Sequence, residues 1–143
     1  MEKVKDFLYE KESYQIRGAC FSIWKKFGSA FKESVYHKAL AIEFRDRQIL
    51  VNDKKTINII FKGEKVGIYR PDFVVADSII MELKAKPFLT KEDEKQFWYY
   101  LRGSNYKLGF LVNFGSRELE IRRRIYEKAR QKDTQRCSAS ISA

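Results

Sequence analysis

The chain has 143 residues, the length of one domain able to bury about two-thirds of the surface its unfolded chain exposes. Its 44% hydrophobic and 15% aromatic content exceeds that of a disordered chain, and 29 Lys and Arg against 19 Asp and Glu leave a net charge of +10, which favours nucleic acid first and a membrane surface second as a partner. One histidine and two isolated cysteines, Cys20 and Cys137, exclude a His-rich metal site, a CxxC zinc site and a disulfide framework within one chain, leaving carboxylates and lysines to carry any chemistry.

Charged residues from Lys3 to Arg17 interrupt the N-terminal region, and nowhere is there an apolar run of roughly 18 residues, so a soluble, cytoplasmic protein without a membrane span is expected. Ser13 is read as a helix N-cap, followed by Ile16, Cys20, Ile23 and Phe27 on one helical face, with Gly28 as the stop and Cys20 as core filling. Residues 32–47 repeat the pattern with Val35, Ala39, Leu40 and Phe44. The period then changes: residues 56–61 are rich in β-branched and aromatic residues, Lys62-Gly63-Glu64-Lys65 has turn chemistry, and residues 66–75 are extended again. A turn at Ala76-Asp77-Ser78 precedes residues 79–85, which predicts three consecutive antiparallel strands closed by Pro87.

Thr90 is a cap for a helix through about residue 102, with Glu92, Asp93 and Glu94 in its first turn and Gly103 as its end. Residues 108–114 form an apolar strand, and residues 119–126 read as a further strand or as a helix through residue 130. A single domain is expected over residues 1–130, with residues 131–143 a disordered tail. This order of elements predicts an α/β fold with a mixed sheet flanked by helices.

The chemistry-bearing pattern is Pro71-Asp72 and, after nine intervening residues, Glu82-Leu83-Lys84. Alternation along a strand puts Glu82 and Lys84 on one side, and a three-residue turn at 76–78 sets Asp72 opposite Glu82 with Cβ atoms roughly 5 Å apart. Opposed carboxylates repel, and a hard divalent ion relieves them. Magnesium fits best, with manganese as a substitute, and Lys84 is then a cation able to offset charge on a phosphate or an attacking water. The same three residues also describe an ordinary solvated sheet face; what speaks against that is the apolar character of both faces of these strands.

Together with Phe27-Gly28-Ser29-Ala30-Phe31-Lys32-Glu33-Ser34-Val35-Tyr36, Tyr69-Arg70-Pro71-Asp72, Met81-Glu82-Leu83-Lys84-Ala85, Gln96 with Tyr100-Leu101, and Gly109-Phe110-Leu111-Val112-Asn113-Phe114-Gly115, the chain resembles the PD-(D/E)XK nucleases, and among them the GxxExxY proteins. The glycine that names the latter is Ala30 here. The resemblance implies a Mg²⁺-dependent nuclease with a restriction-endonuclease-like core, acting on nucleic acid and more specifically DNA. It assigns metal binding to Glu33, Asp72, Glu82 and the Leu83 carbonyl, catalysis to Lys84 beside Asp72 and Glu82, and orientation of Lys84 or the phosphate to Gln96 and Tyr100. Tyr36, one turn from Glu33, and Arg70, which shares the parity of Asp72, are candidate nucleic-acid contacts, an ordinary ion pair being the other reading of Arg70. Arg122, Arg123 and Arg124 are a further candidate phosphate track, and His37 is expected on the surface. The alternative function is a catalytically weak nucleic-acid-binding or regulatory module that keeps the fold. A homodimer would widen the footprint of so small a domain.

Overall fold

The computed structural model describes residues 9–126. The expected tail at 131–143, Cys137 and residues 127–130 lie outside them. The elements are α1 (Glu10–Phe27), α2 (Glu33–Asp46), β1 (Val51–Asp53), β2 (Ile57–Phe61), β3 (Glu64–Tyr69), β4 (Phe73–Val75), β5 (Ile79–Lys84), α3 (Lys91–Ser104), β6 (Leu108–Asn113) and β7 (Glu120–Ile125). No helix among the described residues is long and apolar enough to cross a membrane.

Five strands form a mixed sheet in the order β1-β4-β5-β6-β7, in which only β5 and β6 run parallel. The crossover between those two strands is α3, the connection a parallel pair requires. Alternating side chains divide the core. Phe73, Val75, Ile79, Met81, Leu83, Phe110 and Val112 pack with Ile16, Cys20, Leu40 and Phe44 of α1 and α2, whereas Val74, Ile80 and Leu111 pack with Phe97 and Leu101 of α3 and with Ile57 and Tyr69 of the β2–β3 hairpin. The sheet is thus covered on both faces, which is why β4, β5 and β6 are nearly continuous apolar runs.

Two expectations about the strands change. Residues 66–75 are not one strand: the chain breaks at Arg70-Pro71-Asp72, where proline supplies no N–H to a ladder. Consequently β2 and β3 form a two-stranded sheet of their own, and β4 pairs instead with β1, a three-residue strand too short and polar to stand out in the sequence. The hairpin turns at Lys62 and Gly63, both at positive φ (49° and 79°), the conformation that a two-residue turn between right-twisted strands requires. The register of the β4–β5 hairpin agrees with the expected turn: Val75, Val74 and Phe73 pair with Ile79, Ile80 and Met81.

The helix ends also differ in detail. Ser13 is buried inside α1, whose N-cap is Tyr9, and Gly103 lies within α3, which ends at Asn105 in a left-handed conformation. Thr90 caps α3 as expected, in a reciprocal capping box with Asp93. Residues 120–125 are a strand, so the helical alternative there does not hold.

The end of β5 is locked from β6. The fully buried Asn113 side chain accepts from the Lys86 and Gly115 amides (3.0 and 3.1 Å) and donates to the Lys86 carbonyl (2.9 Å). A Cβ at Gly115 would meet the Lys86 nitrogen at 2.3 Å and the Ala85 carbonyl carbon at 2.5 Å, both backbone atoms that cannot swing aside. Gly115→Ala is therefore expected to destabilise the fold by about 3 kcal/mol, the upper range for overpacking, as read from urea unfolding; wild-type stability would show that the two backbones separate freely.

Candidate active site

Along β5, Ile79, Met81 and Leu83 face α1 and α2, so Glu82 and Lys84 follow Ile80 toward α3 and the hairpin. There Tyr69, the last residue of β3, donates its hydroxyl proton to Glu82 Oε1 (2.9 Å), and its ring stacks on Tyr100 of α3 with centroids 4.3 Å apart. A groove of about 350 Å³ opens over these groups, lined by Tyr69, Arg70, Glu82, Lys84, Gln96 and Tyr100.

Asp72 immediately precedes Phe73, the first residue of β4, and meets the other side of the site. Its Oδ2 accepts the Leu83 amide proton (2.8 Å), and its Oδ1 is 3.1 Å from Nδ1 of His37 on α2. The second ring nitrogen of His37 is 2.5 Å from Asp53 Oδ1, so the imidazole is clamped between two carboxylates. It also stacks on Phe73, with centroids 4.4 Å apart. The expectation of a surface histidine is thus corrected: His37 is 8% exposed. Glu33 opens α2 one turn before it, and Glu33, His37, Lys54 and Asp72 line a small cavity of about 160 Å³.

The carboxylates feel one another. Burial first, and then the charge of Asp72, push the Glu82 carboxyl from its ordinary 4.5 to about 7, against the Tyr69 hydrogen bond and the Lys84 charge, which act the other way. Glu33 is raised for the same two leading reasons, with Lys84 and His37 opposing. Lys84 therefore stands within electrostatic reach of both glutamates. The Tyr69 hydroxyl is held far above its ordinary range by burial and by Glu82, so it stays a proton donor at neutral pH.

The other predicted residues take different places. Gln96 is exposed and Tyr100 half-buried on the face of α3 that lines the Glu82 groove. Leu83 offers only its backbone, its side chain being fully buried. Arg70 is exposed at the groove rim, where its Nε donates to the Thr56 hydroxyl (2.9 Å), so the partner found here is an uncharged oxygen rather than the carboxylate of an ion pair. Tyr36 does not reach the surface: it is fully buried, donates its hydroxyl proton to the Gly28 carbonyl (2.5 Å) and stacks on Phe114. Its expected contact with nucleic acid is withdrawn. Here the aromatic ring spaced three residues from Glu33 points into the core and fastens the α1–α2 turn. Arg122 and Arg124 are engaged by Glu94 and Glu120, which weakens the Arg122–Arg124 run as a phosphate track.

Sequence reasoning missed His37, Asp53 and Tyr69. His37 carried a signal in its four-residue spacing from Glu33 on one helical face, and Tyr69 stood in the Tyr69-Arg70-Pro71-Asp72 motif without a role of its own; Asp53 sits on a strand too short to recognise.

No group of three or more His, Cys, Asp and Glu side chains among the described residues is drawn together as a metal cage. The donors nevertheless fit a hard ion. Asp72, Glu82 and the Leu83 carbonyl offer oxygen, each carboxylate retains lone pairs beyond its hydrogen bonds, and the burial and Asp72 charge that raise Glu82 are what a divalent cation beside it offsets. Magnesium needs only one or two carboxylates and fills its remaining positions with water and phosphate oxygen.

A mixed α/β sheet that carries two carboxylates and a lysine at the carboxyl end of its central strand, between helices on both faces, has the layout of a nuclease fold. The chain belongs to the PD-(D/E)XK nuclease superfamily, whose profile matches residues 10–124. No curated protein and no solved structure matches it.

Proposed function

We propose that this protein is a Mg²⁺-dependent nuclease of the GxxExxY branch that hydrolyses phosphodiester bonds of DNA. The observation that carries the reading is the convergence of Asp72, Glu82 and Lys84 at the end of β5, with the Glu82 carboxyl pushed to about 7 by burial and by Asp72. A bound divalent ion supplies Lewis acidity at the scissile phosphate. The residues do the rest. Asp72 and Glu82, with the Leu83 carbonyl and Glu33 on α2, hold the ion; the Leu83 amide and His37 fix the Asp72 carboxylate. Lys84 offsets the charge that builds on phosphorus-bound oxygen as water attacks and the P–O bond breaks. Gln96 and Tyr100, on one helical face over the groove, orient the phosphate, with Tyr100 braced by Tyr69. Arg70, at the rim, meets the flanking backbone.

The deciding experiment is a cleavage panel of single-stranded, double-stranded, flapped and branched DNA, and of RNA, each with Mg²⁺, Mn²⁺ or EDTA. Cleavage with either metal and none in EDTA supports the proposal; a protein that binds these substrates and cuts none is the non-catalytic module.

His37 makes a further expectation. Partners that orient a metal ligand are worth about 10- to 100-fold in metal affinity or activity. His37→Ala should raise the Mg²⁺ concentration for half-maximal cleavage by that factor, and Asp53→Ala should move it in the same direction by less, because Asp53 acts only through the imidazole. An unchanged Mg²⁺ titration in a folded His37→Ala protein would leave the clamp a purely structural contact.

A further inference from the structure

The Glu82 groove does not end at the carboxylates. It shares Asp93, Gln96 and Tyr100 with a second groove of about 680 Å³ along α3, and that groove in turn shares Ile59 and Gly103 with a third of about 940 Å³ between the hairpin and the end of the helix. One trough therefore runs out of the catalytic end of the sheet, with α3 as one wall and β2–β3 as the other. From Asp93 to Tyr106 it follows about 20 Å of helix-length chain.

Its lining pairs exposed rings with cations. Tyr99 is 54% exposed and Phe61 61% exposed, and each ring carries a cation over its face: Lys95 and Arg102 over Tyr99 at 6.0 and 5.9 Å, Lys62 over Phe61 at 5.4 Å. Of the acidic groups along the wall, Asp93 is taken by Lys86 (2.7 Å) and by the capping box of α3, while Glu92 sits in the exposed first turn.

We propose that this trough holds single-stranded nucleic acid leading to or from the cleavage site, so that the enzyme works on unpaired strands or on duplexes with single-stranded tails. The proposal rests on the nuclease reading for its catalytic end and on the trough itself for its substrate form. Exposed rings flanked by cations match a chain whose bases have free faces and whose phosphates are regularly spaced. A duplex gains nothing from them, because its base faces are already stacked on one another. The apolar wall of Ile59, Ile60 and Val66 suits the sugar and base edges of such a strand, and the continuity with Glu82 and Lys84 gives it a register relative to the reaction.

The test uses Tyr99→Ala, Phe61→Ala and the double variant, none of which touches the carboxylate site. In EDTA, anisotropy is measured on a labelled oligothymidine and on a blunt duplex of equal length; in Mg²⁺, cleavage is measured on a blunt and a tailed duplex. Each substitution should weaken oligothymidine binding by about tenfold, the scale of one base–aromatic stack, and leave duplex binding within about twofold. Wild-type protein should cut the tailed duplex far faster than the blunt one, and the substitutions should lower cleavage of the tailed substrate toward the blunt level. Wild-type cleavage with oligothymidine affinity unchanged in the double variant overturns the trough and leaves the nuclease reading standing. Absence of cleavage together with the expected binding loss does the reverse. If the substitutions leave oligothymidine binding intact and change only the sedimentation of the protein, a second copy of the chain occupies the trough and the proposal is wrong. Tyr99→Trp, which keeps a stacking face, should retain binding; loss there equal to that in Tyr99→Ala would also overturn it.

Discussion

Lys84→Ala is expected to lower phosphodiester cleavage by about 10²- to 10³-fold, the scale of removing one preorganised group that meets charge developing in the transition state, while nucleic-acid affinity in EDTA changes by no more than about twofold. The two effects separate because the lysine is a single charge among 29 Lys and Arg for binding, yet its charge acts on both Glu82 and Glu33, the carboxylates proposed to flank the scissile phosphate. One phosphate contact adds only about one unit to the salt dependence of binding. The substitution should also leave a second trace. Lys84 lowers the proton affinity of Glu82 and Glu33, so its loss should move the acid limb of any residual activity to higher pH. Parallel loss of cleavage and affinity would make Lys84 a binding residue, and an unchanged acid limb would place its ammonium group away from the carboxylates.

Much of this arrangement was legible in the sequence because it depends on short-range geometry. The three-residue turn at 76–78 and the two-residue period of strands are enough to bring Asp72 to the level of Glu82 and to give Glu82 and Lys84 a common side. The same logic located α3 through Thr90 and its acidic first turn. What escaped were features that depend on which elements meet. The break at Pro71 is local, but that β4 then finds β1 rather than β3 is a long-range outcome, decided by burial of Val74 and Val75 against partners from both faces of the sheet. Tyr36 and His37 are adjacent on α2 and were judged by residue type as nucleic-acid contact and surface residue; the fold buries both, one against Phe114 and the Gly28 carbonyl, the other between Asp53 and Asp72. A polar group's destination depends on its partners, and those come from segments distant in the chain.

The largest pH effect should come from Glu82. A carboxyl that titrates at about 7 in the folded protein but at the ordinary 4.5 in the unfolded chain takes up a proton on folding within that interval, so stability falls as the pH rises from about 4.5 to 7 and stays reduced above it. The full interval corresponds to about 3 kcal/mol. In metal-free protein, Glu82→Gln removes this dependence while a side-chain oxygen can still accept from Tyr69, so urea unfolding at pH 8 should find the variant more stable than wild type by up to about that amount, with the difference vanishing near pH 4. Added Mg²⁺ should reverse the order at pH 8, because a cation takes the place of the proton at the wild-type carboxylate and gains nothing from the amide. For the same reason wild-type cleavage should rise through pH 7 and its midpoint should move downward as Mg²⁺ is increased. If Glu82→Gln leaves the metal-free pH dependence of stability untouched, the raised carboxyl is not Glu82; if Mg²⁺ stabilises both proteins equally at pH 8, that carboxylate does not hold the ion.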